Sequence, residues 1–157
     1  VSATRLRHAR REDLDALLAL LHQLNPGDVV APRERLEALL EQIIASEHFA
    51  VIVVTQDERV VATCYLNVIP NLSRGGASYA VVENVVVERS LRGSGLGQQV
   101  VRFALDEAWL RGCYKALLQT GERDPRVHRF YAACGFSASE KTGFVARPPC
   151  ALGKPPA

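Results

Sequence analysis

The chain has 157 residues, 48% apolar and 23% charged, with a net charge of +2 from 19 basic and 17 acidic side chains. That is the size and make-up of one globular domain; it excludes wholesale disorder, two full cores, and a general electrostatic pull toward nucleic acid or an anionic membrane. No apolar run approaches the ~18 residues of a membrane span, the four cysteines have no metal-ligand spacing, and the arginine-rich start lacks the apolar stretch of a secretion signal, so a cytoplasmic protein with reduced thiols and no metal is expected.

Residues 4–8 alternate weakly and suit a short edge strand. Asp13 to Leu24 places Leu14, Leu17, Leu18, Leu21 and Leu24 at helical spacing, and Asn25-Pro26-Gly27-Asp28 stops that helix. Pro32 suits the first turn of a second helix with the stripe Leu36, Leu39, Leu40, Ile43 and Ile44. Phe49 to Thr55 and Val60 to Ile69 read as two strands joined by the polar turn Gln56–Arg59. After the loop Pro70–Gly76, Ser78 to Val87 is a valine-rich strand. Gly95 to Arg111 is a long helix, with Gly112 in its left-handed closing position. Ala116 to Gln119 is a short strand, Val127 to Cys134 a short helix closed by Gly135, and Lys141 to Arg147 a final strand. The order predicts an α/β (α+β) protein with a mixed, mostly antiparallel sheet and helices on both faces. Residues 1–147 are expected to form a single domain, and the proline-rich stretch 148–157 a frayed tail.

The chemistry concentrates in Val85-Val86-Val87-Glu88-Arg89-Ser90-Leu91-Arg92-Gly93-Ser94-Gly95-Leu96-Gly97. A buried strand runs into a glycine-rich turn that opens a helix. Free N–H groups and the positive end of the helix dipole face outward there, so the turn suits an anion, a diphosphate above all. A P-loop would need Gly-Lys-Ser/Thr, which is missing. A dinucleotide site would need an acidic residue at the end of the next strand, where Gln119-Thr120 stand instead. Arg92, Gly95 and Gly97 satisfy the third pattern, Arg-x-x-Gly-x-Gly.

That stretch resembles the acetyl-CoA signature of the GNAT superfamily of N-acetyltransferases, and Phe130-Tyr131-Ala132-Ala133-Cys134-Gly135-Phe136 resembles the same superfamily's second motif. The likeness is specific over residues 78–147. Glu83-Asn84-Val85-Val86-Val87, Gly112-Cys113-Tyr114-Lys115 and the loop Asn71–Gly76 are further similar to glucosamine-phosphate N-acetyltransferases.

The resemblance implies acetyl-CoA as acyl donor, a small-molecule amine as acceptor, and a GNAT fold that in many relatives forms homodimers. The pantetheine arm is expected along Val85, Val86 and Val87. The diphosphate is expected on Arg92, Gly93, Ser94, Gly95, Leu96, Gly97 and Gln98; the last stands where many relatives carry Lys or Arg. Glu83, a carboxylate inside a valine run, is the candidate base or amine anchor, burial there raising its proton affinity. Asn84 is expected on the strand face opposite Glu83 and Val85, as a structural hydrogen-bonding group. Tyr131 is the candidate acid for the leaving thiolate. Asp124 stands near where relatives carry an asparagine, and Arg74 could meet an anionic group of the acceptor. Cys113 and Cys134 read as small core residues. The alternatives are an aminoglycoside-type or protein N-terminal acetyltransferase, and a non-catalytic acyl-CoA sensor on the same fold.

Overall fold

The computed structural model describes residues 3–148; the expected tail lies almost wholly outside them. The chain forms two compact units, one up to Thr120 and one from Gly121 onward. The first contains strands β1 (Thr4–His8), β2 (Phe49–Gln56), β3 (Arg59–Ile69), β4 (Tyr79–Val87) and β5 (Ala116–Leu117), with helices α1 (Leu14–Leu24), α2 (Arg33–Ala45) and α3 (Leu96–Leu110). The second contains α4 (Pro125–Ala133).

The five strands lie in chain order; β1 to β4 are antiparallel and β5 is parallel to β4. The hairpin between β2 and β3 closes over Asp57 and Glu58, both in the left-handed region at φ 47° and 65°, as a turn matched to the strand twist requires. The sheet is apolar on both faces because both are covered. Val51 and Val53 of β2 pack with Leu14 and Leu17 of α1 and Leu40 of α2. The intervening Ile52, Val54, Ala62, Cys64 and Leu66 face the other way, toward α3, where the Cys64 thiol reaches the Val100 carbonyl at 3.7 Å. Ala104 and Ala108, one and two turns further along, are fully buried and let the helix approach the sheet closely. Each fully buried Val, Leu or Ile contributes about 1.5–3 kcal/mol over an exposed one.

The sequence-predicted elements appear with boundaries shifted by a few residues, with two larger differences. β5 keeps only two of its four expected residues. The expected strand Lys141–Arg147 does not form: the segment is irregular, with Phe144 and Val145 88% and 70% exposed. A strand exists only through its ladder, and among the described residues this segment pairs with none. No helix among the described residues is long and apolar enough to cross a membrane.

Candidate active site

β4 is the element that organises the site. β5 is in register only with Ala80 and Val81, so from Val82 to Val87 the strand pairs with β3 alone. Its other edge is a row of main-chain donors and acceptors that, among the described residues, has no strand beside it. Within that stretch Tyr65 pairs with Glu83 and Thr63 with Val86, so Cys64 faces two residues, Asn84 and Val85. This is a bulge, and Asn84 makes it by taking φ 50°. Asparagine is among the few residues other than glycine that visit that region readily.

The bulge corrects two expectations. Strict alternation would place Glu83 and Val85 on one face; instead Val86 shares the face of Glu83, since their partners Thr63 and Tyr65 are two residues apart. Glu83 is also exposed and not buried among the valines. It lies on the face covered elsewhere by α1 and α2, beside Tyr65, whose phenol burial pushes up above its ordinary value. Val86 is 3% exposed, so what the Val85–Val87 segment offers a ligand is chiefly backbone.

The strand ends in the glycine turn. Gly93 and Gly95 stand at φ 83° and 87°, a conformation that L side chains rarely adopt; a Cβ at either would meet no protein atom, so the glycines serve the backbone path and leave open space above it. Gly95 is the N-cap of α3 and no side chain caps that end. The first main-chain bond returning to the turn is Gln99 N–H to the Gly95 carbonyl, at 3.1 Å, which leaves the N–H groups of Leu96, Gly97 and Gln98 without helical partners. Arg92 Nε donates to the Val87 carbonyl at 3.3 Å, which folds the side chain back along the turn while its head stays exposed. The positive helix end, free donors and a tethered cation together suit a diphosphate.

Gln23, at the end of α1, positions this turn. Its amide donates to Glu88 at 2.8 Å and accepts from Arg89 N–H at 3.0 Å. The Gln23 bond, with help from the Arg89 and Ser90 N–H groups, holds the Glu88 carboxyl below its ordinary value. Sequence reasoning missed Gln23, since nothing local distinguishes one glutamine on a helix from another.

Tyr131 belongs to the second unit, on α4, half-buried with its ring edge-on to Phe130 at 4.9 Å and Phe136 at 6.3 Å. Pro125 opens the helix, and it closes with Gly135 at φ 97° and the Phe136 N–H on the Tyr131 carbonyl at 3.1 Å. Asp124 is the N-cap: its carboxylate accepts Arg126 N–H at 2.8 Å and pairs with the Arg126 side chain, which hold it below its ordinary value. His128 Nε2 lies 2.9 Å from the Glu122 carbonyl oxygen. Burial pushes the Cys64 thiol up to about 12 and raises Cys113 as well, and Cys134 is buried; the first two are poor nucleophiles.

Residues 14–136 match the acetyltransferase (GNAT) family. Glucosamine 6-phosphate N-acetyltransferase 1 of Oryza sativa subsp. japonica is 33% identical over 138 residues, covering 85% of this chain and 81% of its own. Among solved structures, a protein of Agrobacterium tumefaciens str. C58 classed as an acetyltransferase superposes with a TM-score of 0.86 at 41% identity, over 92% of this chain and 99% of its own. Glucosamine-6-phosphate N-acetyltransferase of Arabidopsis thaliana superposes with a TM-score of 0.81 at 25% identity, over 93% and 98%. The open β4 edge and the uncapped glycine turn lie inside the matched span, and the chain therefore belongs to the GNAT acetyltransferase family and is an N-acetyltransferase.

Proposed function

We propose that the protein transfers the acetyl group of acetyl-CoA to the primary amine of a small molecule, an amino sugar of the kind named for its relatives, by direct attack with both substrates bound. The observation that carries this is the continuity of β4: one strand presents an exposed carboxylate, an unpaired edge and a turn that ends on an uncapped helix. Acetyl-CoA supplies the acetyl group as a thioester. Gly93 to Gln98 and Arg92 hold its diphosphate through N–H groups and charge, and the free edge of Val85–Val87 receives the amide-bearing arm as an added strand would be received. Glu83, exposed and so within reach of the acceptor, takes the proton of the attacking amine, directly or through water. A main-chain N–H near Val85, at the bulge, donates to the developing oxyanion. Tyr131 donates to the departing thiolate. The same reading places the enzyme in the cytoplasm, as one acetyltransferase domain that pairs with a second copy.

The test is acetyl-CoA-dependent thiol release against amino sugars, their phosphates, aminoglycosides, polyamines and peptides, with calorimetry for acetyl-CoA. Turnover on an amino sugar or its phosphate is expected, with kcat falling about 100-fold in Tyr131→Phe. Tight binding of acetyl-CoA with no turnover on any amine would make the protein a sensor and overturn the reading; wild-type turnover by Tyr131→Phe would remove the acid.

A further inference from the structure

The glycine turn is gripped by a helix distant in the chain. The β3–β4 ladder reaches as far as Glu88, whose N–H donates to the Val61 carbonyl at 2.8 Å. Beyond that point the chain bonds to itself. Leu91 N–H donates to the Glu88 carbonyl at 2.8 Å, and Ser94 returns to the Leu91 carbonyl through its N–H at 3.3 Å and its Oγ at 2.6 Å. Such bonds fix the shape of a turn but not its direction. Gly93 and Gly95 add two joints that no side chain restricts. The aim of the free N–H groups at the start of α3 therefore depends on what holds Glu88 and Arg89.

Gln23 holds them with both halves of one amide. Its nitrogen donates to the Glu88 carboxylate at 2.8 Å and its oxygen accepts the Arg89 N–H at 3.0 Å. The two partners dictate that orientation, since a carboxylate only accepts and an N–H only donates. Bonds to two consecutive residues fix the rotation of the link between them, which one bond would leave free. The base of this clamp is firm: Gln23 is half-buried, at the end of a helix whose Leu14, Leu17 and Leu20 are buried. The Gln23 bond is the largest influence on the Glu88 carboxyl, and with the Arg89 and Ser90 N–H groups and the charge of Arg59 it holds that carboxyl below its ordinary value. A charge of the wrong sign for a diphosphate is thus engaged by α1.

We propose that Gln23 and Glu88 are positioning residues for acetyl-CoA: together they set the path of Arg89 to Gly95, so that the Leu96, Gly97 and Gln98 N–H groups and the Arg92 side chain converge on the diphosphate. This rests on the acetyltransferase reading above and deepens it. The pair acts through the turn and touches no reacting atom. Its effect falls on affinity for the donor and not on the chemical step at Glu83 and Tyr131.

The experiment reverses the clamp. Wild type, Gln23→Glu, Glu88→Gln and the double variant are compared by calorimetry with acetyl-CoA, and by kcat and KM for acetyl-CoA with an amino sugar as acceptor. Gln23→Glu sets two carboxylates against each other and is expected to weaken acetyl-CoA binding about tenfold or more, with kcat at saturating acetyl-CoA kept within about twofold. Glu88→Gln keeps an acceptor for the Gln23 amide and is expected to change affinity less than about threefold. In the double variant amide and carboxylate change places: the carboxylate at position 23 accepts from both the Arg89 N–H and the amide at position 88. Affinity is expected to return to within about threefold of the wild type. A general loss of packing does not recover on such an exchange, and urea unfolding checks that all four proteins fold. Wild-type affinity in Gln23→Glu, no recovery in the double variant, or a loss confined to kcat overturns the proposal. Should the wild type not bind acetyl-CoA, the acetyltransferase reading fails separately, and hydrogen exchange in the free protein decides the clamp. Faster exchange of the Leu91 and Ser94 N–H groups in Gln23→Glu, reversed in the double variant, supports it; equal exchange in all four proteins overturns it.

Discussion

Glu83 and Asn84 are neighbours with opposite demands. In the mechanism proposed above Glu83 meets the amine, and the strand leaves its side chain exposed beside Tyr65. Replacing it by Gln keeps the shape and removes the proton acceptor, so kcat is expected to fall about 100-fold or more with acetyl-CoA affinity retained; turnover at the wild-type rate would remove Glu83 as base. Asn84 needs φ 50° and makes the bulge that follows Glu83. Asn84→Gly keeps that conformation, whereas a β-branched residue strains it. Asn84→Val is expected to lose about 1–3 kcal/mol in urea unfolding and most of its turnover, and Asn84→Gly to lose little of either.

Helix α3 carries the second demand, an N-terminus that stays open. Its anchoring is internal: Val100, Val101, Ala104 and Ala108 are fully buried, while no side chain caps its first turn. Gly95 caps the helix at φ 87° with free space above it. Gly95→Ala therefore meets no steric clash from the protein, yet pays about 1–2 kcal/mol for a left-handed alanine. Calorimetry is expected to register about tenfold or greater weakening of acetyl-CoA binding, since the added methyl group enters the space above the turn. Unchanged affinity would mean that the diphosphate sits elsewhere.

For the molecule as a whole, α1 links fold and site. At its start, Arg7 of β1 grips Asp13 through two bonds of 2.6 and 2.9 Å while Arg10 N–H adds a third of 2.7 Å. At its end, Gln23 holds the strand that leads to the glycine turn. Burial works to raise the Asp13 carboxyl, but the Arg7 and Arg10 bonds outweigh it and hold it below its ordinary value. A carboxyl lowered in the folded state adds stability above its unfolded value of about 3.9, and that stability is lost as pH falls through the folded value. Asp13→Asn is expected to cost roughly 2 kcal/mol at pH 7, between an exposed and a fully buried pair. The difference between variant and wild type in thermal melts should begin to shrink as pH falls below about 4; a difference that does not shrink as the pH is lowered further would mean that packing, not charge, is what Asp13 contributes.

Local patterns settled much of this molecule before any contact was known. Helical leucine spacing placed α1 and α2, valine runs placed the strands, and Gly93, Gly95, Gly112 and Gly135 marked turns that need positive φ. These signals are legible because each depends on a residue and its near neighbours. The order of elements and the two motifs likewise carried the family. What depended on distant partners was not legible. The bulge at Asn84 arises from two residues facing Cys64 across the ladder, so alternation misplaced Val85 and the valine run misjudged the exposure of Glu83. The β propensity of residues 141–147 could not supply a partner strand. The Gln23 clamp and the meeting of Arg74, Tyr79, Tyr114 and Lys115 join segments far apart in the chain. The sequence by itself determined the elements and the family, because those are written in short-range spacing. Only the tertiary structure decided which charges share a face and which strand edge stays open, because both are set by pairing and packing between segments that do not adjoin.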